Sequence, residues 1–310
     1  MIYRSLSTDS NLVVSSIAFG CEPLGGADWG NVDIHAVSGA AREALDLGVT
    51  LFDTAAVYGL GASETNLRRA LGPRIRDVVV STKAGMRWSP HASGERAHVM
   101  SDASPRSIVD SVEASLGRLG IEKIPLLFIH WPDPATPLED TLGTLAHLQE
   151  QGKVGEVGLS NYGPNEIEKA RKLMPISAVQ VQYSLISRDI EAALVPACRL
   201  LGIPLIVWGA MSQGLLTGKY SAETVFQAND RRHGAASEKR LRAAAMSRRL
   251  AALAVDRGSS AAQLAIGWVL SRPQVASAIV GIKNSRQLQE CVAAASLRLR
   301  AEDFNVLEEV

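Results

Sequence analysis

Cysteines, long apolar runs and a secretory signal peptide are scarce or missing in this chain of 310 residues. Only three cysteines are present, Cys21, Cys198 and Cys291, and their odd number and wide spacing exclude a disulfide framework and a zinc site. No apolar run reaches the roughly 18 residues that a membrane-spanning helix needs. Residues 1–10 also lack the pattern of a secretory signal peptide. We therefore expect a soluble protein of a reducing compartment, which is the cytoplasm.

An excess of charge of one sign is also missing, because 32 basic side chains balance 32 acidic ones. This balance argues against nucleic acid or an anionic membrane as the main partner. We expect a small-molecule partner, and the sequence leaves the oligomeric state open. Residues 1–310 contain no linker of disordered composition, so they are predicted to form a single domain.

The chain does contain a regular alternation of short apolar runs and amphipathic stretches. Eight runs are predicted as strands, each followed by at least one helix: 17–19, 49–53, 78–83, 124–130, 155–159, 177–181, 204–208 and 276–280. This alternation predicts a parallel sheet, and eight units in this length predict a (β/α)8 barrel, with an N-terminal β-hairpin indicated by the run 12–16. A doubly wound sheet is less favoured, because residues 20–23 do not supply a Gly-x-Gly-x-x-Gly turn.

Helix signals fill the intervals between these strands. Asp33 is predicted to cap a helix that runs to Leu47. The other predicted helices are 64–71, 104–119, 138–151, 165–173, 190–201, 239–257, 261–270 and 285–295. Residues 84–103 are predicted as a long polar loop, and residues 221–238 as a basic polar insertion.

Polar side chains stand where several predicted strands end. Asp53, Lys83 and His130 each end a strand, and Tyr58 lies in the loop that follows Asp53. In a barrel all carboxyl ends of the strands open on one face, where active sites are built. Lysine is rarely buried without a partner, so Asp53 is expected to pair with Lys83. A purely structural ion pair at the top of the barrel would explain these two residues equally well.

Tyr58 adds acid–base chemistry to this group. An unperturbed phenol has a pKa of about 10, and we expect the ammonium of Lys83 to lower the pKa of Tyr58. Such a phenol is a usable proton donor to an oxygen that gains negative charge. His130 is expected to hydrogen-bond and orient the same oxygen, although a packing or capping role is the usual one for a lone histidine.

Aromatic residues are only 5% of the chain, yet four of the five tryptophans fall at or just beyond strand ends. They are Trp29, Trp88, Trp131 and Trp208. This bias predicts an aromatic-walled cleft, with loop anchoring as the alternative for each residue.

Taken together, these segments resemble the aldo-keto reductase superfamily over nearly the whole chain. The matching segments are 48–55 with Tyr58 and Gly59, 81–83, 127–132, 155–162, 180–185 and 214–220. The resemblance implies a reductase that converts an aldehyde or ketone to an alcohol by hydride transfer from NADPH. It implies that Tyr58 is the general acid, that Lys83 tunes Tyr58, that Asp53 pairs with Lys83, and that His130 positions the carbonyl.

The resemblance also implies a binding path for NADPH along the ends of strands five to eight. Ser160, Asn161 and Gln180 would fix the carboxamide, and Trp208 would offer a face to the ring. Backbone amides of the loop Gly209, Ala210, Met211, Ser212, Gln213, Gly214 and Leu215 would hold the pyrophosphate. After strand eight come Gly281, Lys283 at the ribose 2′-phosphate, and Gln287 and Glu290 near the adenine. Cys291 departs from the asparagine usual in the family, which puts one adenine contact in doubt.

Lys283 and the nearby Arg286 favour NADPH over NADH, unless both are solvated charges at a helix start. Trp29, Trp88 and Trp131 are the expected substrate-binding residues, together with the segments 84–103 and 221–238. A polar carbonyl such as a sugar or keto-sugar is compatible with these segments. The sequence does not define the substrate further, nor the physiological direction.

Two other functions remain open at this point. Lys83 could form a Schiff base, as in an aldolase, although the nicotinamide-type residues of strands five to seven argue against it. Residues 183–188 with Trp208 also resemble the branch that contains potassium-channel β subunits. A protein of that kind would bind NADPH as the redox-sensing subunit of a partner. No partner-binding tail precedes the barrel, so we expect that role to be the less important one.

Overall fold

The computed structural model describes residues 1–6, 12–89 and 97–308. Its strands in chain order are β1 (Tyr3–Ser5), β2 (Val13–Ser15), β3 (Ile17–Gly20), β4 (Leu51–Asp53), β5 (Val79–Ala84), β6 (Met86–Ser89), β7 (His98–Ser101), β8 (Ile124–Ile129), β9 (Val154–Ser160), β10 (Ala178–Gln182), β11 (Leu205–Trp208) and β12 (Val275–Gly281). Eight of them close into a barrel in the order β10-β11-β12-β3-β4-β5-β8-β9, and every neighbouring pair is parallel. The predicted (β/α)8 barrel is confirmed, whereas the single domain over residues 1–310 stays a prediction.

The helices follow the barrel strands closely. They are α1 (Ile34–Asp46), α2 (Ala62–Leu71), α3 (Pro105–Leu119), α4 (Leu138–Glu150), α5 (Pro164–Leu173), α6 (Leu194–Leu200), α7 (Ser237–Arg257), α8 (Ala261–Leu270), α9 (Ser285–Ala293) and α10 (Ala301–Glu308). The predicted cap of α1 is present, because Asp33 Oδ1 accepts hydrogen bonds from the amides of His35 and Ala36 at 2.9 and 3.1 Å. Within the described residues, no helix has both the length and the apolar character that crossing a membrane requires.

The segment predicted as a polar loop over 84–103 is partly a β-hairpin. Strand β5 extends to Ala84, and β6 then pairs antiparallel with β7, with Trp88 opposite Val99. The side chains of β6 alternate between half-buried and exposed positions, which is a strand period that the sequence prediction overlooked. Residues 90–96 of the predicted loop lie outside the described residues.

The helix predicted over 190–201 is shorter than expected. A 3-10 turn occupies Asp189–Glu191, and α6 begins only at Leu194. Pro196 explains the break, because in a continuous helix its ring would clash with the carbonyl of Ala192, four residues earlier. Helix α10 had no counterpart among the predicted elements.

The positions of two apolar cores, one outside and one inside the barrel, show which end of the barrel is open. Outward side chains such as Phe19 and Phe52 belong to the large core beneath the helices, whereas Leu51 and Ala178 belong to the core inside the barrel. Leu6 and Val14, from the N-terminal hairpin, join this inner core. Since Leu51 and Ala178 are the first residues of their strands, the hairpin covers the amino end of the barrel. The carboxyl end is therefore the one available for a site.

Candidate active site

The carboxylate of Asp53 organises the open end of the barrel. Its Oδ1 accepts a hydrogen bond from Lys83 Nζ at 2.6 Å, and its Oδ2 accepts from Ser81 Oγ and Gln180 Nε2, both at 2.8 Å. Lys83 also donates to the carbonyl of Thr54 at 2.8 Å. Asp53 and Lys83 are each only 3% exposed. The ion pair expected between these two residues is therefore present in the structure, and it is fully buried.

Gln180 reaches Asp53 from the opposite wall, because β10 and β4 lie four positions apart in a ring of eight strands. The amide nitrogen of Gln180 is thus already engaged by a carboxylate. The bond to Asp53 does not use the amide oxygen of Gln180, so this oxygen can accept a hydrogen bond from a ligand.

Tyr58 stands beside this ion pair on a tightly packed loop. The Lys83 Nζ lies 5.0 Å from the centre of the Tyr58 ring, and the ring of His130 meets it edge-on at 6.0 Å. Gly59 adopts a φ of +57°, and a Cβ there would lie 2.2 Å from the carbonyl oxygen of Gly25. Two glycines are therefore needed where this loop presses against the loop after β3, and their contact fixes the backbone that carries Tyr58.

A cleft of about 1020 Å³ opens over these groups. Asp53, Tyr58 and His130 line it, whereas Lys83 lies behind them and is not part of the described lining. Most residues predicted for the cofactor also line it: Ser160, Asn161, Gln180, Trp208, Gly209, Ala210, Met211, Gln213, Gly214, Gly281, Lys283, Gln287 and Glu290. The carboxyl end of the barrel therefore brings three of the four predicted catalytic residues and most of the predicted cofactor residues into a single space.

Ser212 and Leu215 depart from the predicted cofactor loop. Both side chains are buried, and neither is among the described residues that line the cleft. Their amides donate within the loop, from Ser212 to the carbonyl of Gly209 at 2.7 Å and from Leu215 to that of Ser212 at 3.1 Å. The amide of Gly214 also donates within the loop, to the carbonyl of Met211 at 3.0 Å, so the turn uses three of the N–H groups that were expected to hold a pyrophosphate.

Three of the four tryptophans expected around the cleft do line it, namely Trp29, Trp131 and Trp208. The expectation was wrong for Trp88, which lines a smaller cavity of about 320 Å³ between the β6–β7 hairpin and α3. Met86 borders both spaces, but Trp88 lies two residues further along β6, about 7 Å away. The hairpin, which the sequence prediction did not contain, carries Trp88 away from the strand end.

The electrostatic setting of Tyr58 is also different from the one predicted. Burial raises the pKa of the Tyr58 phenol well above 10, and the carboxylates of Glu22 and Asp53 raise it further. The pKa is therefore raised and not lowered as expected, because burial and the two carboxylates outweigh the effect of Lys83, whose charge Asp53 partly offsets at 2.6 Å. The phenol therefore holds its proton at neutral pH.

His130 is the second group whose proton affinity the site changes. Burial lowers the pKa of its imidazole well below 6.5, and the cations Lys83 and Arg231 lower it further. The ring is thus neutral at physiological pH. Its Nδ1 is buried without a hydrogen-bond partner among the described residues. A neutral imidazole whose Nδ1 has no described partner is suited to forming a hydrogen bond with a ligand and not to carrying charge.

Glu22 and Arg231 are cleft residues that the sequence reasoning missed. Glu22 follows β3 by two residues, and Arg231 lies in the long segment between β11 and α7; their side chains form an ion pair at 2.5 Å. The position of Glu22 just after a strand end was a usable signal, but residues 20–23 were tested only for a glycine fingerprint. Arg231 had no such signal, because it is 209 residues from Glu22 and on no periodic element.

Lys283 and Arg286 border the far end of the cleft. Lys283 Nζ donates to the carbonyl of Trp29 at 2.8 Å, and burial followed by the charge of Arg232 lowers its pKa. Arg232 itself is engaged by Asp230 at 2.6 Å. The described hydrogen bonds of Lys283 thus include no carboxylate.

Comparison with known proteins gives a consistent result. Residues 16–310 match the model of the Aldo/keto reductase family. The aldo-keto reductase YhdN of Bacillus subtilis is 32% identical over 98% of this chain and 91% of its own length, and the NADH-specific methylglyoxal reductase of Escherichia coli is 30% identical over 97% and 96%. The structure of the glycerol dehydrogenase from Gluconobacter oxydans superposes with a TM-score of 0.88 and 31% identity, covering 97% of this chain and 93% of that one.

Replacing His130 with asparagine should make the free energy of unfolding depend less on pH below neutrality. The unfolded chain takes up a proton on His130 near pH 6.5, whereas the folded chain does not until its lowered pKa is reached, so the free energy of unfolding falls as pH decreases through this window. One such histidine accounts for up to about 1.4 kcal/mol between about pH 7.5 and about pH 5.5. Urea denaturation should show the native chain losing about that much more than His130→Asn, and equal losses would contradict a buried neutral imidazole.

Proposed function

This chain belongs to the aldo/keto reductase family, and from that premise we propose that it reduces an aldehyde or ketone to an alcohol with NADPH, using Tyr58 as the general acid. The observation that carries this proposal is the meeting of Tyr58 and His130 in one cleft, with the buried Asp53–Lys83 pair behind them. The relatives matched include a methylglyoxal reductase, which acts on a small carbonyl compound as its name states. We place the reaction in the cytoplasm, with a small molecule rather than nucleic acid or a membrane as partner.

The cleft fits a nicotinamide dinucleotide. Its volume of about 1020 Å³ is at the upper end of small-molecule sites. Gly281 borders open space at its far end, because a Cβ there would meet no atom within 4 Å. Asn161 and Ser160 offer amide and hydroxyl groups near the reacting end, where Asn161 Nδ2 donates to Ser160 Oγ at 3.0 Å. We assign these two residues and the amide oxygen of Gln180 to the carboxamide, and Trp208 to the ring.

When bound, the cofactor supplies a hydride to the carbonyl carbon. This chain would supply the proton that the carbonyl oxygen then needs. Tyr58 is suited to that step because its raised pKa keeps the hydroxyl protonated until charge develops on the oxygen. His130, being neutral, would donate a hydrogen bond to the same oxygen and hold it near the phenol.

Lys83 supports Tyr58 without touching the substrate in this scheme. Its ammonium lies 5.0 Å from the centre of the Tyr58 ring, so it would stabilise phenolate once the proton has left. The same position argues against the Schiff-base alternative. An aldolase lysine must present an unprotonated nitrogen to its substrate, but Lys83 is 3% exposed and donates to Asp53 and to the Thr54 carbonyl. No contact among the residues that the structure describes favours a redox-sensing subunit over a reductase.

The preference for NADPH over NADH is the finer part of the proposal. Lys283, with Arg286 three residues later, lines the end of the cleft where the family places the ribose phosphate. The two cations would recognise a 2′-phosphate by charge-assisted hydrogen bonds. One relative at 30% identity is named as NADH-specific, so family membership alone does not decide the cofactor, and this chain's own cations carry the argument.

Replacing Lys283 with alanine should reduce the preference for NADPH. A hydrogen bond to a charged group contributes about 1.5–3 kcal/mol, so the Kd of NADPH should rise roughly 10- to 100-fold while that of NADH stays nearly constant. Titration of tryptophan fluorescence with each cofactor measures both values. Lys172→Ala, at an exposed ion pair on α5, is the matched control. An unchanged ratio of the two Kd values would remove Lys283 from the phosphate site.

Replacing Tyr58 with phenylalanine should remove turnover but not cofactor binding. The substitution keeps the ring and its contact with His130 and deletes only the acidic hydroxyl. General acids contribute about 10²–10⁴ in rate, so kcat with a good aldehyde should fall by that factor while the Kd of NADPH is preserved. Tyr3→Phe, at an exposed tyrosine of β1, is the control. Turnover near the native level in Tyr58→Phe would contradict the assignment and make His130 the leading acid.

A further inference from the structure

The reacting end of the cleft carries an ion pair that the proposed catalytic scheme does not use. Glu22 comes from the loop after β3, and Arg231 comes from the segment between β11 and α7. Arg231 Nη1 donates to Glu22 Oε1 at 2.5 Å, and the side chains of Arg231 and Glu22 are 41% and 18% exposed, respectively. Both line the same space as Tyr58 and His130.

Backbone and ring contacts hold the Arg231 segment against residues 28–29, which belong to the segment between β3 and α1. The Arg231 amide donates to the carbonyl of Asp28 at 2.8 Å, and Asp230 forms an antiparallel bridge with Trp29. The Arg231 guanidinium also stacks over the Trp29 ring at 5.6 Å. Two segments that are distant in sequence are thus locked together across the mouth of the cleft. A pair held this firmly is a fixed wall of the substrate space rather than a passing surface contact.

The backbone places Glu22 close to the reacting groups, because the amide of Cys21, the residue before it, donates to the carbonyl of Asp53 at 2.8 Å. The carboxylate of Glu22 raises the pKa of Tyr58, and the guanidinium of Arg231 lowers the pKa values of both Tyr58 and His130. A carbonyl oxygen held between Tyr58 and His130 would therefore have this pair beside it. The substituents next to that carbonyl are the parts of a substrate that would meet Glu22 and Arg231.

The charges at this end do not suit an anionic substrate. Arg231 is matched by Glu22, and Lys83 is matched by Asp53. Asp28 adds a further acid to the lining. A substrate carboxylate would therefore have to compete with Glu22 for the guanidinium. A hydroxyl group, in contrast, can donate to a carboxylate oxygen and accept from one of the five N–H groups of a guanidinium without displacing either charge.

We propose that Glu22 and Arg231 form a hydroxyl-recognition site, so that the favoured substrates are short, uncharged carbonyl compounds with a hydroxyl group near the carbonyl. The inference rests on the proposed reductase function and narrows its substrate class. Purely aliphatic aldehydes would enter the same cleft but would leave both charged groups without a hydrogen bond from the substrate. The ion pair thus acts as a specificity-determining element beside the proton donor.

The test compares glyceraldehyde with propanal, which has the same carbon chain without hydroxyls. The native chain should show a kcat/KM for glyceraldehyde at least tenfold above that for propanal. In Glu22→Gln and in Arg231→Gln that ratio should fall about 10- to 100-fold, as expected for the loss of a charge-assisted hydrogen bond, with the loss in KM for glyceraldehyde. An effect on Tyr58 alone would change both substrates equally, so the ratio isolates the hydroxyl contact.

Glu113→Gln is the matched control, because it also removes one carboxylate from an ion pair. Glu113 lies on α3, pairs with Lys153 at the surface, and is not part of the described lining of the cleft. An unchanged ratio in both cleft variants would overturn the hydroxyl site while leaving the reductase function intact. A native preference for succinic semialdehyde over glyceraldehyde would also overturn it and make Arg231 a carboxylate receptor. Failure of the native chain to reduce either aldehyde with NADPH would overturn the reductase function, and the inference with it.

Discussion

The buried ion pair between Asp53 and Lys83 is the interaction on which the open end of this barrel depends. Burying two charges is costly, and the cost is offset only when geometry and surrounding hydrogen bonds are good. Here Ser81 and Gln180 satisfy the second oxygen of the carboxylate, and the Thr54 carbonyl accepts from the ammonium. Removing one partner of such a pair typically costs about 3–5 kcal/mol. The pair therefore fixes the relative positions of β4, β5 and β10.

This constraint explains why the neighbouring groups have unusual proton affinities. The charge of Lys83 is offset by Asp53, so burial and the nearby acids dominate at Tyr58 and raise the pKa of its phenol. His130 lies among cations in a buried place, and the pKa of its imidazole falls. The result is a protonated phenol beside a neutral imidazole. That combination is suited to donating a proton and a hydrogen bond to one oxygen.

The sequence was sufficient for the parts of the site that lie at strand ends. Strand periodicity fixes where Asp53, Lys83 and His130 emerge, and barrel closure brings those ends together, so their meeting could be predicted. The Glu22–Arg231 pair could not, because it depends on a long segment folding back across the mouth of the cleft. Trp88 was misplaced for a related reason, since an antiparallel hairpin replaced the predicted loop. The direction of the Tyr58 pKa shift required knowing how deeply the phenol is buried and how close Glu22 and Asp53 lie to it.

The most direct test of the account is a double-mutant cycle on the ion pair, measured as the single-turnover rate of hydride transfer at saturating NADPH. If Asp53 acts on the proton donor through Lys83, the variant with both Asp53→Asn and Lys83→Met should be no slower than Lys83→Met alone, within about 0.5 kcal/mol of activation free energy. The single Asp53→Asn variant should be slower than the native chain. Losses that simply add would show that the two residues act independently, and would contradict the role given to their ion pair.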